Sequence, residues 1–190
     1  MSEGIEKLQR DLVILEAMVT EMADYLRSEV LFWPMVSGGM PKLTLGGYLI
    51  RQHRLQGLVD LLSESEQERL DSAVLLFNIT TNEKVVRVEE RAHTELEARI
   101  RQWGEALKEF KGESSLSYYR TAVDTRLMIE HLVKKLQTAP FQLNPRILSQ
   151  VKLLDVNLSG KWQSGDFIWP AEWQPAYPRA EFWWLYGRPK

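Results

Sequence analysis

The stretch Leu70–Phe110, LDSAVLLFNITTNEKVVRVEERAHTELEARIRQWGEALKEF, decides the fold class. Its inward-type positions return every eleven residues. Val74, Val85, Leu96 and Leu107 form one row, Leu70, Thr81, Ala92 and Trp103 a second, and Phe77, Val88, Arg99 and Phe110 a third. Eleven residues in three turns is about 3.67 per turn, so the rows share one face of a nearly straight helix. A face of that kind must be buried against other helices. The expected fold is therefore all-α, a four-helix bundle whose third helix is much the longest.

That third helix is predicted from about Glu66 to Lys111, a span of roughly 65–70 Å at ~1.5 Å per residue. Ser65 with Glu68 has capping-box spacing at its start. Asn78-Ile79-Thr80-Thr81-Asn82 is its weak point, because these residues are poor helix formers. The rows pass through that stretch in phase, which favours a continuous or kinked helix over a split one. Gly112 stands where a C-terminal cap is preferred.

On either side the same logic gives three partners. Ile5, Leu8, Leu12, Leu15, Val19, Met22 and Leu26 alternate three and four apart, a coiled-coil-like seam on a first helix from about Ile5 to Phe32. Pro34 ends it. Thr44 is an N-cap candidate for a second helix to about Leu62, with Gly46 and Gly47 weakening its first turn. A fourth helix is predicted from about Ser115 to Gln137. Residues 1–139 thus make the bundle. Residues 140–190 form an extension that packs on it, within one domain. Asn144-Pro145 reads as an N-cap and first-position proline for a short fifth element to about Leu154, with a strand as the competing reading. From Gly160 onward helical periodicity stops. Five of the seven tryptophans lie there, Trp162, Trp169, Trp173, Trp183 and Trp184, broken up by Pro170, Pro175, Pro178 and Pro189.

Composition narrows the function classes. The chain has 190 residues, 44% of them hydrophobic and 26% charged, as in ordinary globular domains. A net charge of −2 argues against nucleic acid or an anionic membrane as the main partner. With no cysteine there is no disulfide, thiolate metal site or cysteine nucleophile. The first helix carries too many charges for a secretory signal, and no apolar run is long enough to span a bilayer, so a cytoplasmic location is expected.

Candidate chemistry is sparse. Lys42 follows Pro41 rather than a final glycine, so Gly38–Gly47 does not fit a phosphate loop. Backbone N–H groups at the start of helix two, with Arg51, could hold an anion. No Gly-x-Ser-x-Gly turn supports a serine nucleophile. The leading expectation is a non-catalytic helical scaffold or protein–protein interaction protein, self-associating as a homodimer, because a rod longer than its neighbours leaves apolar surface to cover. Trp103, Phe110, Trp169, Trp173, Trp183 and Trp184 are its candidate interaction residues, and no cofactor is required. The alternative is a metal-dependent enzyme or sensor. There His53, His93 and His131, with Glu90 three residues before His93, would hold a divalent transition metal in the bundle core. A third reading has the tryptophan-rich tail stacking a small ligand.

Overall fold

A computed structural model describes residues 2–110 and 115–190. The chain is dominated by helix, with one small sheet. Helix α1 spans Glu3–Arg27, α2 Leu45–Gly57, α3 Glu64–Asn82, α4 Val85–Glu109, α5 Ser115–Gln137 and α6 Pro145–Ser159. Strands β1 (Trp162–Phe167) and β2 (Tyr186–Pro189) pair antiparallel with an irregularity between Ser164 and Phe167. Gly187 sits at φ 139°, so close to the β1 backbone that a Cβ would meet Gln163 O at 2.2 Å, and only glycine fits there. The predicted cap at Gly112 lies outside the described residues.

The continuous third helix is overturned. The rod breaks at Glu83-Lys84, and α3 and α4 are separate helices. Lys84 takes φ −129°, ψ 37° and offers no side-chain cap to α4. The cause is where α1 ends. Gln9 meets Glu66, Glu16 meets Arg69, and Leu26 and Arg27 lie beside the joint, so α3 runs parallel to α1 and finishes level with it. A straight continuation would leave its neighbour behind. Instead the chain redirects, and Arg87 and Arg91 of α4 reach back to α1's end. Arg87 donates to Leu26 O and Ser28 O, Arg91 to Val30 O and Ser28 O. The bond to Leu26 O satisfies a carbonyl that the helix end leaves open, and those to Ser28 O and Val30 O hold the segment just past it. The twelve positions of the three rows still point inward on both sides of the break, all buried or half-buried.

The local signals are read with mixed accuracy. Thr44 caps α2, accepting from Gly47 N at 2.9 Å. Asn144 caps α6 with Pro145 in its first turn, and α6 is a helix five residues longer than expected. The capping box of α3 is Ser63 with Glu66, not Ser65 with Glu68; both pairs have the same spacing and the chain uses the earlier one. Helix α1 stops at Arg27, and Trp33 instead pairs with Leu43 in an isolated bridge. Helix α2 gives way to a 3₁₀ turn at Val59–Leu61.

Packing is continuous from end to end. Helix α1 runs antiparallel to α2, bringing Asp11 to Arg54 and Met18 to Gly47. Helix α4 runs antiparallel to α5, and α6 covers α4. The extension folds back onto the same bundle. Trp173 Nε1 donates to Gly4 O at 2.9 Å, Tyr119 OH donates to Trp184 O, and Arg54 Nε donates to Tyr177 OH at 3.0 Å. Among the described residues no helix is long and apolar enough to cross a membrane.

Candidate functional site

Two buried charge clusters flank α2. At its start, Glu95 from α4 is fully buried. Its carboxylate accepts from Gly46 N at 3.0 Å and from Arg99 Nε at 3.2 Å. Arg99 also donates to the Thr44 hydroxyl. The helix-two N–H groups that could hold an anion thus receive the protein's own carboxylate, while Arg51 pairs elsewhere, with Asp11. Gly46 serves this contact: a Cβ there would meet Glu95 Oε1 at 2.6 Å and Met128 Cβ at 3.0 Å. A glycine that costs helix propensity is what lets a carboxylate sit against the backbone.

Further along α2, Arg51 and Arg54 both reach Asp11 of α1. Arg54 Nη1 donates to Asp11 at 2.6 Å; Arg51 Nε lies 3.2 Å from the other oxygen as an ion pair without hydrogen-bond geometry. The Arg54 guanidinium lies 3.9 Å from the Trp173 ring centre and 5.2 Å from that of Trp169. Cation and rings stabilise each other once water is excluded. Burial pulls the Arg51 pKa down against the attraction of Asp11. Asp124 of α5 faces the same pair of arginines, and burial pushes its pKa above the ordinary carboxylate value while Arg54 and Arg51 oppose that rise.

The three histidines do not converge. His53 and His131 do meet, with ring centres 4.4 Å apart. His53 Nε2 donates to Ala176 O at 2.8 Å, and His131 Nε2 is buried without a partner among the described residues. Burial lowers both pKa values, that of His131 to about 3, with the neighbouring His53 adding to it. His93 stands elsewhere, on α4. Its Nδ1 bonds to Glu89 O, and its Nε2 accepts from Asn144 N. Both ring nitrogens are used in tying α4 to the turn before α6. Glu90 is exposed and pairs with Arg87 at 3.2 Å. Among the described residues no three of His, Asp and Glu are grouped as metal ligands. The sequence places the histidines on three helices but says nothing of which way the α4 histidine turns.

The candidate interaction residues mostly face inward. Trp103 and Phe110 are buried against each other and Tyr119, and Trp162 packs on Tyr119 from the extension. Trp173 is buried on Arg54. Trp184 is buried with the Arg126 guanidinium 3.9 Å from its ring centre. Trp169 and Trp183 are half-buried. Arg126 in turn makes a two-pronged pair with Asp155 at 2.8 and 2.9 Å. The rings are therefore covered by this chain's own cations and aromatic residues.

What the outside does carry is on α3. Leu75, Leu76 and Ile79 are 61%, 44% and 48% exposed, and Val86 follows beyond the joint at 70%. From Ser72 to Asn82 there is no charged residue. The sequence carries this signal as that uncharged run, whose last five residues, Asn78–Asn82, are also the poor helix formers. No family model matches the chain, and no curated protein and no solved structure matches it.

Proposed function

We propose that this protein is a non-catalytic helical scaffold that self-associates through the outer face of α3. The carrying observation is the uncharged run Ser72–Asn82 with Leu75, Leu76 and Ile79 turned to solvent. Surface helices ordinarily carry charge on that side, and grouped exposed apolar side chains mark association sites. With α3 and α4 separate, no overlong rod overhangs its neighbours, and this stripe is what supports self-association.

A second copy is the occupant that suits the stripe. A neutral patch faces itself without like-charge repulsion. In an antiparallel pair with its two-fold axis between Phe77 and Asn78, Leu76 of one copy lies level with Ile79 of the other. The same register sets Ser72 level with Glu83, on the face that carries Leu76 and Ile79. Symmetric pairing of one patch with itself is the commonest way soluble proteins associate.

Sedimentation velocity between about 10 μM and about 1 mM tests this, a range suited to a small interface. The expected result is a monomer–dimer equilibrium that Leu76→Glu with Ile79→Glu abolishes while the circular dichroism stays helical. A wild-type protein that sediments as a monomer throughout removes the proposal.

A further inference from the structure

We infer that the cleft between the first turns of α1, residues 120–124 of α5 and the tryptophan segment binds a free α-amino acid with an apolar side chain. The cleft has a volume of about 720 Å³, within the range of small-molecule sites. Its charged lining is Arg54, Arg120 and Lys7 with Asp124, Glu3 and Glu172, and Phe167, Ile168 and Trp169 form an apolar wall.

The charges in it are arranged for a zwitterion. Arg54 lines the cleft and is held by Asp11, Tyr177 and the Trp173 ring, with its Nη2 left out of those bonds. Arg120 is exposed at the rim, and its side chain has no bonding partner among the described residues. Together they suit a carboxylate, which a guanidinium binds by paired hydrogen bonds. Asp124 lines the same cleft, half-buried and facing Arg51 and Arg54, and has no hydrogen bond or salt bridge among the described residues. Its carboxylate keeps free lone pairs, and a ligand ammonium placed on it would make a charge-assisted hydrogen bond. Opposite charges on one small molecule match opposite charges fixed across one cleft. The wall of Phe167, Ile168 and Trp169 then receives the side chain.

Isothermal titration of the full chain with L-phenylalanine and L-leucine tests the inference. The expected result is binding weakened roughly tenfold or more when the ammonium is acetylated or the carboxylate amidated, as for loss of a charged hydrogen bond. Asp124→Asn should lower affinity by a similar factor, and so should Arg120→Gln. Arg120 is exposed, so its variant keeps the test alive if Asp124→Asn fails to fold. Absence of heat with either amino acid at tens of millimolar overturns the inference. So does equal binding of the blocked analogues, undiminished binding by the folded variants, or heat with methyl glucoside in place of the amino acids.

Discussion

Helices α3 and α4 carry the same eleven-residue rows, yet they differ on their outer sides. Helix α4 shows solvent Glu90, Glu97, Arg101, Glu105 and Lys108. Helix α3, after Asp71, shows it Leu75, Leu76, Asn78, Ile79 and Asn82. Inwardly the contrast reverses: α4 sends Arg91, Glu95 and Arg99 toward neighbouring elements, whereas α3 sends Leu70, Ala73, Phe77 and two threonines. Periodicity reports which face is covered. The placement of charge reports what covers it, and whether anything remains to be covered.

The largest effect is expected where α4 is charged inside. Glu95→Ala leaves Gly46 N and Arg99 without their carboxylate in a site water does not reach. Removing one partner of a buried pair costs about 3–5 kcal/mol. Urea denaturation should show that loss, with the midpoint shifted and the slope unchanged. A loss below about 1 kcal/mol would mean that the cluster behaves as an exposed ion pair, and the contrast between the two helices would fail on its inner side.

A second effect concerns pH and the buried ring of α5. Burial holds the folded His131 pKa at about 3 against the ordinary 6.5. His53, Lys134, Arg54 and Arg126 surround it and all disfavour a further positive charge. The unfolded chain therefore takes up a proton near pH 6.5 that the folded chain refuses. Stability falls as pH drops from 6.5 toward 3, by up to about 1.4 kcal/mol per pH unit from this one ring. His131→Leu should flatten that slope, so the difference in unfolding free energy between variant and wild type should grow from pH 7 to pH 4. A constant difference would mean that the ring titrates as if in water.

How much of this was legible is clear from particular residues. The inward rows were, because burial follows period, and they survive a break in the backbone. Thr44 and Asn144 were legible because a cap needs only local chemistry. The weak point at Asn78–Asn82 was legible, but the end of the helix just past it was not, since its cause is the end of α1, far away in sequence. Neither was the use of Gly46, which depends on a glutamate of another helix. Nothing in the sequence shows that Arg54 and Arg126 of the same chain cover Trp173 and Trp184, because cation and ring stand far apart along it. Asp11, Arg51, Arg54 and Asp124 went unremarked because each alone looks like ordinary surface charge. The histidines misled for the opposite reason: residue type suggested a shared metal, and orientation, which no spacing between helices encodes, sends His93 elsewhere.

The smallest effect expected is the most informative about the outer face of α3. In the antiparallel register, Ser72 of one copy and Glu83 of the other are level, at the ends of the uncharged run, and both are exposed. Exposed charge pairs contribute about 0.2–1 kcal/mol, and a two-fold interface contains the pair twice. Ser72→Glu alone should raise the dimer dissociation constant several-fold by like-charge repulsion, and Glu83→Lys alone should leave it near the wild-type value. Combined in one chain they set opposite signs level and should bring the constant back to or below the wild-type value. Added salt should shrink both the loss and the recovery, because surface charges are screened. Folding stability should move by no more than about 0.5 kcal/mol in any of the three, as for substitutions away from the core. Recovery in the double variant would fix the two copies antiparallel. Single effects that simply add would place these residues apart in the dimer, and the stripe would then have to meet its second copy in another register.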